Sequence, residues 1–243
     1  MAGAIPTYPD GCVQELVGDW WIENDDKSDL GRGRLLRTFV PYVDMEPYRL
    51  IPDGRADSTS HKKALYKVEP WRAGAAKQTH KNLPVAALPQ YKGEIHLTRR
   101  AKLRPVLVVG EGAPEVDRKS VAPGSPKSQT NPTLLVAPYY GADQDGTRAG
   151  WPRGFVARMQ SCEYPQYMVE RLPLPGPTES VLRFDHSLSI GRHYNWYVWT
   201  DYRLTEGALE VVDQWFDWFR YGTLTDESTL GAARKILMEL VDS

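Results

Sequence analysis

What the chain lacks narrows its class first. Among 243 residues there are 2 cysteines, Cys12 and Cys162, far apart and without metal-type or redox-type spacing. One distant pair is too few for a disulfide framework, so a reducing compartment is expected. No run approaches the roughly 20 apolar residues of a membrane helix, and the start MAGAIPTYPDG has no basic stretch followed by an apolar core. The expectation is a soluble, cytoplasmic protein with no membrane partner. Nor does one sign of charge dominate: Lys+Arg 30 against Asp+Glu 31 leaves a formal net charge of -1. No global positive field announces nucleic acid, and any such binding must use a local patch. No internal repeat is present, which removes solenoids and propellers. What is there is a hydrophobic share of 41%, ample for a sizeable core in one elaborated domain or two modest ones.

The first ninety or so residues are rich in charge, Pro and Gly and poor in long apolar runs. They are expected to form an accessory region, residues 1–88, beside a main domain over 89–243. Val13, Leu16, Val17, Trp20 and Trp21 fall at the i, i+3, i+4, i+7, i+8 spacing of an amphipathic packing helix. RLLRTFVPYV (34–43) and PYRLI (47–51) read as short strands, with Pro41 and Pro47 arguing for edge positions. Lys62 to Gln78 is polar and ambiguous.

From Gly93 the texture changes. GEIHLTRRAKLRPVLVVG (93–110) reads as two strands, GEIHL and RPVLVV, joined by a cationic turn bearing Arg99, Arg100, Lys102 and Arg104. Alternation makes Ile95 and Leu97 core-facing and His96 exposed. The Pro/Gly/Ser-rich stretch from Glu111 to Pro132 is a long surface loop, because it cannot bury enough apolar area to offset its ordering entropy. TLLVA (133–137) is a third buried strand, stopped by Pro138. Gly141 to Arg153 is turn-rich, Phe155–Met159 and Tyr167–Arg171 are further strand candidates, and LPLPGP is a rigid connector. SVLRFDHSLSI (180–190) alternates Val181, Arg183 and Asp185 against Leu182, Phe184 and His186, as a half-buried strand does. The C-terminus is helical. Thr205 is an N-cap, and a stripe through Ala208, Val212, Trp215 and Phe219 ends at Gly222. A second helix opens near Thr225 or Ser228 and buries Leu230, Ile236, Leu237, Leu240 and Val241. Several short strands followed by helices give an α+β fold, a small, strongly bent sheet or barrel with helices on one side.

Four blocks in this order carry a resemblance: Gly93-Glu94-Ile95, Arg104-Pro105-Val106-Leu107-Val108-Val109, Asn131 to Pro138 (NPTLLVAP), and Glu179 to Asp185 (ESVLRFD). With LTEGAL (204–209) resembling a C-terminal helix start, residues from about 90 to 220 resemble the MazF/PemK family of toxin endoribonucleases from toxin–antitoxin systems. The resemblance implies an SH3-like small β-barrel with C-terminal helices. It also implies cleavage of single-stranded RNA by the neighbouring 2′-OH, a reaction that calls for no metal and no cofactor. Arginine suits such a site, because its guanidinium is always charged and forks onto two phosphate oxygens. The family's central catalytic arginine precedes the strand proline, and Arg104 matches it. The other reading is a surface arginine at a strand start.

The chain departs from the family where a Thr or Ser usually follows the third strand. Tyr140 stands there. A phenol can donate to a phosphate oxygen or act as a weak acid, and it is longer than threonine. Equally, paired tyrosines at a strand end cap a barrel with a wet hydroxyl. The usual Gly-rich, acidic loop between the first two strands shrinks to TRRAKL, whose Arg99, Arg100 and Lys102 can contact RNA phosphates without reading sequence, or simply form a charged hairpin turn. Sequence reading falls to the long loop from Glu111, or to Tyr139, Trp151, Tyr164 and Tyr167 stacking unpaired bases. His186, beside Asp185, occupies the place of a polar pair near the family's cleft and is a candidate proton relay. Its alternation with Leu182 and Phe184 also reads as a hydrogen-bonded structural histidine. The aromatic run HYNWYVW (193–199) is a stacking surface or a packed segment.

Three functions compete on these residues. One is an endoribonuclease with Arg104 stabilising the transition state. The second is a degenerate family barrel that binds nucleic acid or a protein partner in a defence or regulatory complex. The third makes residues 1–88 a fused regulator covering the cleft, as a separate antitoxin does in the family. The implied partners are RNA, an antitoxin-like protein, and a second copy of the chain through the apolar surface of Trp215 to Phe219.

Overall fold

The computed structural model describes residues 11–60, 62–72, 94–112, 116–120, 131–142, 150–176, 179–192 and 194–240. The elements are α1 (Val13–Val17), β1 (Trp21–Glu23), β2 (Arg34–Pro41), β3 (Tyr48–Arg55), β4 (Ala64–Pro70), β5 (His96–Thr98), β6 (Ala101–Glu111), β7 (Thr133–Gly141), α2 (Arg153–Gln160), β8 (Tyr167–Glu170), β9 (Ser180–Arg183), β10 (Leu188–Gly191), β11 (Val198–Leu204), α3 (Glu206–Tyr221) and α4 (Thr229–Glu239). Short 3-10 turns cover Arg118–Ser120, Phe184–His186 and Tyr194–Trp196. The fold is mixed α+β: mostly strands, in a curled half-barrel antiparallel sheet, with a few helices. No helix among the described residues is long and apolar enough to cross a membrane.

The chain divides into two compact units, Met1–Phe39 with Leu103–Ser243, and Val40–Lys102. The expected division at residue 88 falls elsewhere, because β1 and β2 belong to the large sheet. Its order is β1-β11-β2-β6-β7-β9-β8, with β10 also on β7. The small sheet is β4-β3-β5. Hence β2 is an interior strand, with Leu35 and Leu36 fully buried, and Pro41 only closes it. The expected GEIHL–RPVLVV hairpin does not form, because β5 pairs with β3 (Leu50↔His96) while β6 lies between β2 and β7. TRRAKL is therefore not a shortened loop between sheet neighbours. The chain between β2 and β6 instead carries the three-stranded sheet. His96 is half-buried and Leu97 exposed, the reverse of the expected alternation. Within Lys62–Gln78, Ala64–Pro70 is a strand.

β7 runs through Pro138 rather than stopping there. Its first half pairs with β10 (Thr133–Val136) and its end with β9 (Tyr139–Gly141). Pro138 falls in the gap between those pairings, where a residue without an N–H is accommodated. SVLRFDHSLSI is correspondingly two strands broken by the Phe184–His186 turn. Phe155–Met159 lies in α2, not in a strand. Phe155, Val156 and Met159 follow helical spacing after Pro152, and Val156 and Met159 are buried.

The N-terminal helix is shorter than its apolar stripe. Gly18 has φ +96° and ends α1, after which Trp21 pairs with Leu204 in the sheet. The C-terminal helices follow their signals. Thr205 Oγ1 accepts from Ala208 N–H at 3.2 Å, Gly222 closes α3 in the left-handed region at φ +73°, and Ser228 caps α4. In α4, Leu230 and Leu237 are buried while Ile236 and Leu240 are exposed. Trp215 is buried in the core and donates to Pro165 O at 3.0 Å, and Phe216 and Phe219 pack with Phe184. Of the apolar residues expected to serve a second copy, Trp215 is buried within the chain, while Phe216, Trp218 and Phe219 are half-buried. Val241, and much of the Glu111–Pro132 and Gly141–Arg153 stretches, lie outside the described residues.

Candidate functional site

The site grows from the way β6, β7 and β9 run together. Val106 lies opposite Pro138, so continuing that antiparallel register by two residues sets Arg104 beside Tyr140. On the other side Tyr140 pairs with Val181, and Tyr167 with Arg183. The 3-10 turn at Phe184–His186 then sends Asp185 and His186 back towards β7. Four segments distant in sequence thereby deliver Arg104, Tyr140, Tyr167, Arg183, Asp185 and His186 to one place.

At its centre the Tyr140 hydroxyl lies 2.8 Å from His186 Nδ1, and the two rings meet edge-on with centroids 5.4 Å apart. The Arg104 guanidinium sits over the Tyr140 ring at 4.1 Å, and Arg183 flanks the same ring at 5.6 Å. Such cation–ring contacts contribute about 0.5–2 kcal/mol each, the larger value where water is excluded. Arg183 is clamped by both carboxylate oxygens of Asp185, with Nε to Oδ1 at 3.0 Å and Nη2 on Oδ2. Burial opposes the Arg183 charge, but the hydrogen bonds and attraction of Asp185 outweigh it and raise the guanidinium pKa. His186 Nε2 lies 3.9 Å from Asp185 Oδ2, a Coulombic rather than a hydrogen-bonding distance. The imidazole thus stands between a carboxylate and a phenol. Depending on its tautomer, it can accept the phenolic proton at Nδ1 or donate to the phenol oxygen.

From this centre the alternation of cations and rings continues. Arg183 also lies 5.2 Å from the Tyr167 ring, Trp151 and Tyr164 are each 6.2 Å from Tyr167, and Arg158 covers Tyr164 at 5.1 Å. These rings rest on a satellite core of Val156, Met159, Val169 and Val181, which holds them in place while leaving them half-exposed.

The structure sorts the expected site residues. Arg104, Tyr140 and His186 come together, and Tyr167 joins them through Arg183, with Trp151 and Tyr164 against the Tyr167 ring. Tyr139 does not join them. It alternates away from Tyr140 into the core, 2% exposed, and its hydroxyl donates to Glu170 Oε1 at 2.6 Å. It cannot stack on a base. Arg99, Arg100 and Lys102 belong to the other compact unit, where Arg100 covers the Tyr42 ring at 5.6 Å. Arg183 had no expected role, although its alternation with Val181 and Asp185 was visible. Among the described residues no three His, Cys, Asp or Glu side chains converge as metal ligands.

A second polar cluster was not foreseen. Glu170 is fully buried and accepts from Tyr139 and, at Oε2, from Trp20 Nε1 at 2.6 Å. Burial pushes its carboxyl up from 4.5 to about 7 against the pull of those two donors. No family model, no curated protein and no solved structure matches the chain.

Proposed function

We propose that the unit containing β6 to β9 is an SH3-like small barrel of the MazF/PemK kind, and that it cleaves single-stranded RNA at Arg104, Tyr140 and His186. The observation that carries this reading is the Tyr140 hydroxyl, 2.8 Å from His186 Nδ1, beneath an arginine 4.1 Å from its ring. A cation and a hydroxyl coupled to an imidazole are the two kinds of group that the reaction demands. The 2′-oxygen attacks the adjacent phosphorus as it loses its proton, the P–O5′ bond breaks, and the 5′-oxygen takes up a proton. The products are a 2′,3′-cyclic phosphate and a 5′-hydroxyl. Because the nucleophile belongs to the substrate, the protein has only to hold the phosphate in line, offset its growing negative charge and exchange protons. Arg104 serves the charge, the Tyr140 hydroxyl protonates the 5′-oxygen, and the 2′-proton leaves to solvent. His186 positions the hydroxyl, which regains its proton from water after release. Tyr167, Tyr164 and Trp151 offer ring faces to unpaired bases.

Unstructured RNA incubated with the purified protein in EDTA tests this. Wild type is expected to yield cyclic-phosphate ends, and Arg104→Ala to lower kcat about 100- to 1000-fold. Tyr140→Phe keeps the ring under Arg104 and deletes only the hydroxyl, so it should lose activity while costing only about 1 kcal/mol of stability for the lost bond to His186. Equal cutting by wild type and Arg104→Ala sinks the assignment. The second reading, a barrel that binds RNA without cutting it, is favoured by one observation: Arg104 and Arg183 flank Tyr140 as a packed stack, at the position where the family has a short Thr or Ser. RNA retained without any product, and no growth defect on expression, would select it.

A further inference from the structure

Among the described residues, the β4 edge of the small sheet pairs with no further strand. β4 is its outer strand in the order β4-β3-β5, and its Leu65 and Val68 are 46% and 60% exposed. The direction of its backbone groups follows from one bond just beyond the strand. Trp71 N–H donates to Pro47 O at 3.1 Å, so residue 71 bonds inward to the β3 side. Residues of the same parity, Glu69 opposite Arg49 and Lys67 opposite Ile51, bond inward as well. The N–H and C=O groups of Val68 and the N–H of Tyr66 therefore point away from the sheet, where among the described residues nothing pairs with them. An exposed strand edge of this kind is a template for another strand.

We propose that this edge pairs with the β4 strand of a second copy of the chain, antiparallel, about a two-fold axis at Val68. Charge selects that register. Around Val68 the sequence reads Lys67-Val68-Glu69, so a two-fold at Val68 sets each Lys67 opposite the partner's Glu69, twice. Centring on Lys67 instead would oppose two lysines. Centring on Tyr66 would pair Lys67 with Leu65 and leave Glu69 opposite the partner's Lys63, which precedes the strand and is already 3.2 Å from Asp57. In the selected register Val68 exchanges two backbone hydrogen bonds with the partner's Val68. Each Tyr66 N–H reaches the partner's Pro70 carbonyl, and the ladder ends there because Pro70 has no N–H. Lys67 is 63% exposed and lies 3.1 Å from Asp53 on β3, so pairing with the partner's Glu69 exchanges one carboxylate for another. A single strand pair buries little area, so the association is weak and concentration-dependent.

Sedimentation of the full chain over a concentration series tests it, with two exposed charge reversals. Glu69→Lys and Lys67→Glu each create like-charge pairs across the axis and should weaken self-association about tenfold. An equimolar mixture of the two variants restores every opposite-charge pair and should associate like wild type. The mixture also serves as its own control for folding. A wild type that stays monomeric into the millimolar range overturns the proposal. So does a dimer indifferent to both reversals, or a mixture that associates no better than its components.

Discussion

The buried carboxyl of Glu170 makes a testable difference at the scale of one residue. Its neighbours are donors, not cations: Tyr139 on one oxygen and Trp20 on the other, with the Cys12 thiol also close enough to feel its charge. A carboxyl whose native pKa is raised binds its proton more tightly folded than unfolded. The stabilisation is therefore complete below the ordinary value of 4.5 and is lost as pH rises through about 7. Spread over that window the loss amounts to about 3 kcal/mol, at 1.36 kcal/mol per unit of pKa. Urea unfolding from pH 4 to 8 should show a stability that declines across this range, and Glu170→Gln should flatten the decline relative to wild type. Parallel wild-type and Glu170→Gln profiles would mean that the carboxyl is not the titrating group. The same burial holds the Cys12 and Cys162 thiols up at about 11 and about 12, so neither is a nucleophile at neutral pH.

At the scale of elements, one hydroxyl caps the start of α3. Thr205 Oγ1 accepts from Ala208 N–H and donates to Asp19 O at 2.7 Å, while Thr205 N–H bonds to Trp20 O at 3.0 Å. It caps the helix and ties it to the segment before β1. Thr205→Ala should cost about 1–2 kcal/mol in chemical denaturation, and Thr205→Ser should recover most of it. A loss below about 0.5 kcal/mol in the alanine variant would show that the cap is dispensable. This helix was legible in the sequence because its signals are local: a capping threonine, an apolar stripe, a glycine in the left-handed region. β6, β7 and β8 were legible for a similar reason, as apolar runs of strand length. Elements whose signals are not local were missed. β4 is exposed along most of its length, so no periodic burial marks it. α2 carries only a few apolar residues, among them the aromatic Phe155 and β-branched Val156, and reads equally well as a strand. Pairing was the least legible of all. Of GEIHL only His96 and Leu97 lie in a strand, β5, and nothing within them tells that the partner is β3 rather than β6. The site shares this division. Arg104, Tyr140 and His186 were nameable one by one, whereas the clamp of Arg183 by Asp185 needed the 3-10 turn that broke the expected strand.

At the scale of the whole molecule, the chain is cut differently from its composition. Residues 1–88 were expected to be separable, yet β2 contributes the fully buried Leu35 and Leu36, and Trp20 reaches the buried Glu170. Deleting that block removes an interior strand and should leave an unfolded remainder, so such a deletion cannot report on regulation. The separable piece lies within it and beyond it. Gly33 N–H donates to Val108 O at 2.8 Å, and Tyr42 N–H to Arg100 O at 2.9 Å. As one residue number rises the other falls, so β2 and β6 are antiparallel neighbours and Tyr42 meets Arg100 at the far end. A two-residue Asn-Gly turn joins antiparallel strands at such a pair. Replacing residues 43–99 with Asn-Gly should therefore give a chain that still unfolds cooperatively and keeps the helical signal of α3 and α4 in circular dichroism. Arg104, Tyr140, Arg183 and His186 all lie in the unit that remains. The shortened chain should accordingly keep whatever RNA cleavage the intact protein shows in EDTA, while losing the self-association assigned to β4. If it folds but no longer cuts, residues 43–99 supply part of the site. If it does not fold at all, the two units are not independent and the boundary drawn at Phe39 and Leu103 has no thermodynamic meaning.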